Sequence, residues 1–435
     1  MNNTVRVIGA GLAGSEACWQ LAKRGFHVEL YEMKPGCFSP AHQKSGFAEL
    51  VCSNSLKADY LSNASGLLKA EMRLMDSLVL KAADAARLPA GGALAVDRDL
   101  FSDYVTNTLE THGNVRVIRE RVDALPDGPA IVATGPLTHE ALLDDIQKRC
   151  GFSGLHFFDA EAPIVSKDSL DFSKIFAASR YGKGDDDYLN CPMNEEEYNA
   201  FYDALVTAET AEVHDFDKSM VFEGCIAVEI LAARGRQTLA YGPMKPVGLT
   251  DPRTGKMPYA VVQLRRDNMS GTLYNLVGFQ TRLKFSEQKR VFSLIPGLEK
   301  AEFMRYGVMH KNTYLNSPDL LDLNFRLKSD PLLRFAGQMS GVEGYMESAA
   351  SGLVAAIGLT RRLKGREEPD FGECTMLGAL SRYVTVPQKD FQPMNANFGL
   401  LPPAGKKIRN KKERYEFLAE RSLTALKNII ETQNL

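Results

Sequence analysis

Two hydrophobic rhythms alternate along the start of the chain. Val5, Val7 and Ile8 form a short apolar run, which predicts a buried strand. Ser15 to Arg24 carries Ala17, Leu21 and Ala22 at helical spacing, and Gly25 ends that helix. HVELYE then reads as a second strand finishing in Glu32. Farther on, Leu68, Met72, Met75 and Val79 keep helical spacing within 68–91, and 98–112 predicts another amphipathic helix with Asp97 as its N-cap. GPAIVATG (128–135) predicts a buried strand. Residues 332–365 repeat the opening plan: a strand ending in Phe335 and Ala336, then a turn at Gly337, Gly341 and Gly344, then a helix from Tyr345 rich in Ala, Ser and Gly. Between about 155 and 325 the texture changes. FEGCIAVEIL, YAVVQLRR and LYNLVGFQT read as strands among glycine and proline turns, and GDDDY (184–188) as a solvated loop.

The linker between the first strand and helix is Gly9-Ala10-Gly11-Leu12-Ala13-Gly14, a GxGxxG turn. Gly9 permits the tight turn, Gly11 admits a pyrophosphate close to the backbone, and Gly14 lets helix pack on strand. Phosphate would meet the helix N-terminus, and Glu32 is placed for ribose hydroxyls. An acid there suits FAD or NAD rather than NADP. Thr134 and Gly135, at the end of the 128–135 strand, and the turn at Gly337, Gly341 and Gly344 favour FAD, because strand ends of this kind approach the bound dinucleotide in flavoproteins. The small-residue helix that follows reads equally well as a close-packing element. A dinucleotide fold opening at residue 5 and closing near 360 implies an α/β, glutathione-reductase-like FAD-binding Rossmann fold with an inserted α+β domain. The expected division is 1–155 and 326–435 for the two parts of the FAD domain, the second ending in a basic helix, with 156–325 inserted.

The formal net charge of -2 excludes a generally basic nucleic-acid binder, so a polyanion would have to meet local patches. Arg234 with Arg236, Arg265 with Arg266, Arg282 with Lys284, and KKIRNKKERY (406–415) are such patches, with Phe279, Phe285, Tyr383, Phe398 and Tyr415 interleaved. They read either as a phosphate-tracking surface with stacking aromatics or as the solvated faces of helices. No apolar stretch approaches the roughly 20 residues that span a bilayer. MNNTVRVIGAG runs directly into a strand without a secretory leader, so the expectation is cytoplasmic, with no membrane partner. The seven cysteines are scattered, without CxxC or zinc-site spacing, which predicts no metal. Each is a packing residue or a chemical one.

Taken together, VIGAGLAGSEA, CSNSLKAD, MVFEGCIAVE, YGPMKPVGL and RFAGQMSGVEGYMESAASGL resemble the folate- and FAD-dependent tRNA (uracil-5-)-methyltransferases of bacteria over essentially the whole chain. The resemblance implies methylation of uridine C5 in the tRNA T loop. It implies 5,10-methylenetetrahydrofolate as carbon donor, FAD as cofactor and NADPH or NADH as reductant. It also implies that Cys52 and Cys225 match the family's reactive positions. Uracil C5 is a weak nucleophile until a thiolate adds to C6, so the chemistry needs a cysteine at the base and a second group to move the C5 proton. Cys225 is expected as the nucleophile. Cys52 is expected beside the flavin, as acid/base or as a thiol that traps the methylene or rests as nucleophile. For folate or substrate, His310, Asn312 and Tyr314 are candidates as polar residues in a loop, and YGPMKPVG (241–248) is a second candidate segment; ordinary turn residues are the competing reading. Two rivals use the same scaffold: a small-molecule flavin oxidoreductase, which needs neither thiol, and an RNA-binding flavoprotein without methyl transfer.

Overall fold

The computed structural model describes residues 3–151, 155–182, 185–211, 226–388 and 391–435. Cys225 lies outside them. The first strand, β1 (Thr4–Ile8), and the second, β2 (His27–Tyr31), flank helix α1 (Leu12–Ala22), as the periodicity predicts. They run parallel, with Val5 opposite Val28 and Val7 opposite Leu30. The strand Ala130–Val132 joins β1 on its other side, and Leu333–Phe335 joins that strand in turn, both parallel. The full sheet has seven strands, closed at one edge by Val115–Ile118 and at the other by the antiparallel Leu321–Asp322 and Arg326–Leu327. Chain order reverses on either side of β1, the point at which open parallel sheets receive ligands at their carboxyl ends.

A separate six-stranded sheet lies between these segments of sequence. It contains Ile164–Ser166, Phe176–Ala177, Tyr188–Met193, Ala260–Arg266, Leu273–Leu276 and Phe303–Arg305. It has its own core around Val262, Leu264, Phe201 and Phe292. The predicted YAVVQLRR and LYNLVGFQT strands both belong to it. FEGCIAVEIL does not read through as a strand, because Val228–Ala232 form a short helix. The short apolar run Ile226-Ala227-Val228 suits either structure, and periodicity alone does not separate them. A two-stranded ribbon, Leu155–Ala160 with Met309–Tyr314, joins the two bodies. His310, Asn312 and Tyr314 therefore sit on a strand and not in a loop.

The 68–91 stretch is two helices, α2 (Ala64–Leu74) and α3 (Leu78–Ala85). Asp76 takes a left-handed φ of 60°, and Ser77 caps α3 by accepting from Leu80 N–H. The break leaves the hydrophobic period intact because both helices face one core. Helix α4 (Arg98–Glu110) is capped by Asp97, as expected. In GDDDY, Asp187 is tied down: its carboxylate accepts from Gly91 N–H at 2.6 Å.

The small-residue helix Tyr345–Leu363 packs directly on α1. A Cβ at Gly352 would sit 2.1 Å from the Ala13 carbonyl oxygen, and a Cβ at Gly14 would sit 1.8 Å from the Gly9 carbonyl oxygen. Only bare backbone fits at both places. Gly352→Ala is expected to push the two helices apart at a cost of about 1–3 kcal/mol. The expected readout is a lower melting temperature together with weaker flavin retention; unchanged values for both would show that the close approach is not needed.

Candidate active site

A cavity of about 1350 Å³, its open mouth included, lies at the carboxyl ends of β1, β2 and Ala130–Val132. Helix α1 begins there without a capping side chain at Gly11, so its first N–H groups lack internal partners. A Cβ at Gly11 would meet nothing within 4 Å, so this side of the turn is open. Glu32, buried at the end of β2, accepts from Ala10 N–H at 2.9 Å through one oxygen and from Lys34 N–H at 3.0 Å through the other. Both bonds fix the carboxylate and leave further lone pairs on each oxygen. An anion cradle next to a fixed hydroxyl acceptor fits the pyrophosphate and ribose of FAD.

Of the residues expected to hold the cofactor, Gly9, Gly11, Leu12, Ala13, Glu32, Thr134, Gly135 and Gly337 line the cavity. Ala10 and Gly14 act behind it, through the bond to Glu32 and the helix contact. Gly341 and Gly344 shape the following turn with φ of 83° and 116°; a Cβ on Gly341 would strike the Phe391 ring. Asn312 lines the cavity, whereas Tyr314 is buried with its ring 6.0 Å from that of Phe391.

Cys52 lines the same cavity, half-buried. The Tyr345 hydroxyl oxygen accepts from Cys52 N–H at 2.8 Å and from Ser53 N–H at 3.3 Å, and lies 3.0 Å from Cys52 Sγ. With its oxygen already accepting from backbone, the single phenolic proton is free to point at sulfur. Burial, reinforced by negative charge at Cys52, pushes the Tyr345 hydroxyl well above the usual tyrosine range, so it stays a donor. Arg98 reaches the loop from α4, donating to the Leu50 carbonyl while ion-paired with Asp267 at 3.1 Å. A phenol donor and a nearby guanidinium are the surroundings that favour a thiolate. Cys37 also meets a guanidinium, that of Arg121, but it does not line the cavity. Burial pushes the Cys18 and Cys191 thiols strongly up and Cys150 up to about 11. None of these, nor Cys37 or Cys374, lines the cavity.

Two segments lead to and from the stretch containing Cys225. Ala211 N–H donates to the Arg282 carbonyl at 2.7 Å, and Val228 N–H donates to the Gln280 carbonyl at 2.7 Å. Thr281, between those anchors, donates its N–H to the carbonyl of Glu161, a residue of the cavity wall.

Sequence reasoning missed Tyr345, Lys34, His42, Arg121 and Gln338, all on the cavity wall. Tyr345 carried a signal: a large hydroxylated ring opening a helix otherwise built of small residues. Three residues assigned to a basic, aromatic surface are internal instead. Arg265 is buried, Phe279 is fully buried in the second core, and Phe398 is buried in the first. Among the described residues no cluster of His, Cys, Asp and Glu could hold a metal ion, and no helix is long and apolar enough to cross a membrane.

Residues 4–367 match the family model described as glucose inhibited division protein A. Over 433 residues the chain is 58% identical to the methylenetetrahydrofolate–tRNA-(uracil-5-)-methyltransferase TrmFO of Bacillus licheniformis, covering 99% of this chain and 100% of the relative. The TrmFO of Listeria monocytogenes is 57% identical over 432 residues, and that of Staphylococcus aureus 57% over 434. The chain belongs to the glucose inhibited division protein A family, in its TrmFO branch. Among solved structures, GidA of Aquifex aeolicus superposes with a TM-score of 0.67 at 17% identity, covering 99% of this chain and 76% of that one. That likeness shows that the two chains share a fold.

Replacing Glu32 with alanine removes the acceptor for Ala10 N–H and the ribose-facing carboxylate together. Flavin affinity is expected to fall at least tenfold, read as absorbance near ~450 nm after gel filtration. Full retention of flavin would show that Glu32 does not serve the cofactor.

Proposed function

We propose that this chain transfers the methylene carbon of 5,10-methylenetetrahydrofolate to C5 of a uridine in the tRNA T loop, using FAD and NADPH or NADH, in the cytoplasm. The observation that carries the reading is end-to-end identity of 58% to a TrmFO methyltransferase. Cys52 beside a dinucleotide cavity supports it independently, because a small-molecule flavin reductase has no need of a thiol there.

The α1 N-terminus, Glu32, Thr134, Gly135 and Gly337 would hold FAD. When bound, it accepts hydride from the nicotinamide and supplies the reducing equivalents that turn a methylene into a methyl group. The chain's own residues manage the base. Cys225 as thiolate adds to uracil C6, which makes C5 nucleophilic. Once C5 has gained the carbon it must lose its proton, and Cys52, held by Tyr345, is the base that takes it. Loss of that proton releases the carbon from its carrier as a C5 methylene, and reduction of that methylene with expulsion of Cys225 restores the ring double bond and completes the methyl group. The anchoring of both flanks of the Cys225 stretch next to Glu161 supports bringing the second thiol toward the cavity. Of the folate candidates, Asn312 lines the cavity and is preferred to the buried Tyr314, while the His310 side chain lies outside the described residues.

The two separate cores support a middle part inserted between two stretches of the FAD domain, in place of the expected 156–325 a shorter one, because Tyr314, Leu315, Leu321 and Phe325 pack in the first core. The exposed Lys406, Lys407, Arg409, Lys411 and Lys412 would meet tRNA phosphate, beside the stacked rings of Phe398 and Tyr415 at 4.3 Å. Purified protein given unmodified tRNA, NADPH and carbon-labelled methylenetetrahydrofolate is expected to place label in T-loop uridine. Cys225→Ser is expected to abolish both the label and covalent capture of 5-fluorouracil-containing tRNA. Absence of label with the wild-type protein would overturn the reading, and capture persisting in the variant would move the nucleophile elsewhere.

A further inference from the structure

Arg265 lies at the end of the strand Ala260–Arg266 in the six-stranded sheet, yet its side chain works on the other body of the molecule. It is only 6% exposed. Nε donates to Asn54 Oδ1 at 2.9 Å and Nη2 donates to Ser53 Oγ at 2.8 Å. The neighbouring acid, Asp267, is ion-paired with Arg98 instead. A buried guanidinium bound to uncharged groups is costly, since the attraction of Asp267, which is shared with Arg98, offsets its desolvation only in part. Such a residue calls for a reason beyond stability.

The partners supply one. Ser53 and Asn54 are the two residues that follow Cys52. Asn54 is saturated by the grip: its amide donates to the Val96 carbonyl at 3.1 Å and to the Arg266 carbonyl at 2.9 Å, while its own carbonyl accepts from Val96 N–H. The fixed fork of an arginine sets two contacts at once, so it fixes orientation as well as distance; a lysine would set one. On the other side of the thiol, Tyr345 accepts from Cys52 N–H and Arg98 holds the Leu50 carbonyl. Cys52 is thus suspended between a grip from the FAD body and a grip from the inserted body.

We propose that Arg265 is a positioning residue for Cys52, registering the thiol against the inserted body that carries Cys225. This rests on the reading of Cys52 and Cys225 as a working pair. Tyr345 from the long helix and Arg98 from α4, with its partner Asp267, are among the groups facing Cys52; Arg265 acts on the thiol through Ser53 and Asn54. Loss of the Arg265 grip slackens residues 53–54, and the thiolate then loses its registered contact with the Tyr345 hydroxyl. Flavin loading does not use Arg265 and is unaffected.

The test follows the rate of iodoacetamide alkylation of Cys52 against pH in the flavin-loaded protein, read by peptide mass spectrometry, with Cys37 as internal control. Arg265→Gln is expected to raise the midpoint for Cys52 by about one pH unit, a tenfold loss of thiolate at neutral pH. The Cys37 profile and NADPH-driven flavin reduction are expected to stay within twofold, while methyl transfer to tRNA falls more than tenfold. Arg265→Lys should fall between. Ser53→Ala, which removes one contact and no charge, should shift the midpoint the same way by less, and it decides the matter if Arg265→Gln does not fold. An unchanged Cys52 profile in a folded variant, with methyl transfer intact, overturns the proposal. The alkylation comparison stands whether or not the wild-type protein methylates tRNA, so a wild-type protein without label transfer counts against the functional reading alone.

Discussion

The site depends on how closely two helices approach at bare backbone. Helix α1 follows the first glycine turn and the Tyr345 helix follows the second, and they meet where Gly352 faces the Ala13 carbonyl. That contact brings residues 9–14 and 337–345, at opposite ends of the sequence, to the wall of one cavity. A single methyl group at Gly352 would separate them. Van der Waals contact is lost steeply with distance, so the geometry tolerates little slack. The same approach delivers Tyr345, the first residue of its helix, to the Cys52 loop.

From there the chemistry is local. The Tyr345 oxygen is saturated by backbone N–H donors and leaves its proton for sulfur. Arg98 adds positive charge without being neutral to the loop, because it also holds the Leu50 carbonyl. A thiol in these surroundings is prepared to carry negative charge, whereas Cys18 and Cys191, enclosed in apolar cores, are prepared to stay protonated. Membership of the TrmFO branch gives that thiol a reaction to serve.

Much of this was written in the sequence. The GxGxxG turn, Glu32 and the second strand–turn–helix unit were legible because glycine and acid placement is set by local backbone and ligand geometry. The helix break at Asp76 was not legible, since α2 and α3 share one buried face and their hydrophobic periods run on. FEGCIAVEIL misled because its apolar run, Ile226-Ala227-Val228, is too short to show a period. Arg265 misled for a different reason. A charged residue next to another charged residue looks solvated, and only the tertiary fold shows it reaching Asn54 and Ser53 across 211 and 212 positions of sequence. The two thiols required the family resemblance, because a lone cysteine on an apolar strand is ordinarily core.

The central claim is that Cys52 is chemical rather than structural. The direct measurement is label transfer from methylenetetrahydrofolate to tRNA by Cys52→Ala, beside flavin content and NADPH oxidation on the same preparation. Loss of a positioned acid/base is worth about 10²–10⁴-fold. Transfer is therefore expected to drop by at least about a hundredfold, with flavin bound and nicotinamide oxidised as in the wild-type protein. Transfer at the wild-type rate would contradict the account and return Cys52 to the packing of the cavity wall.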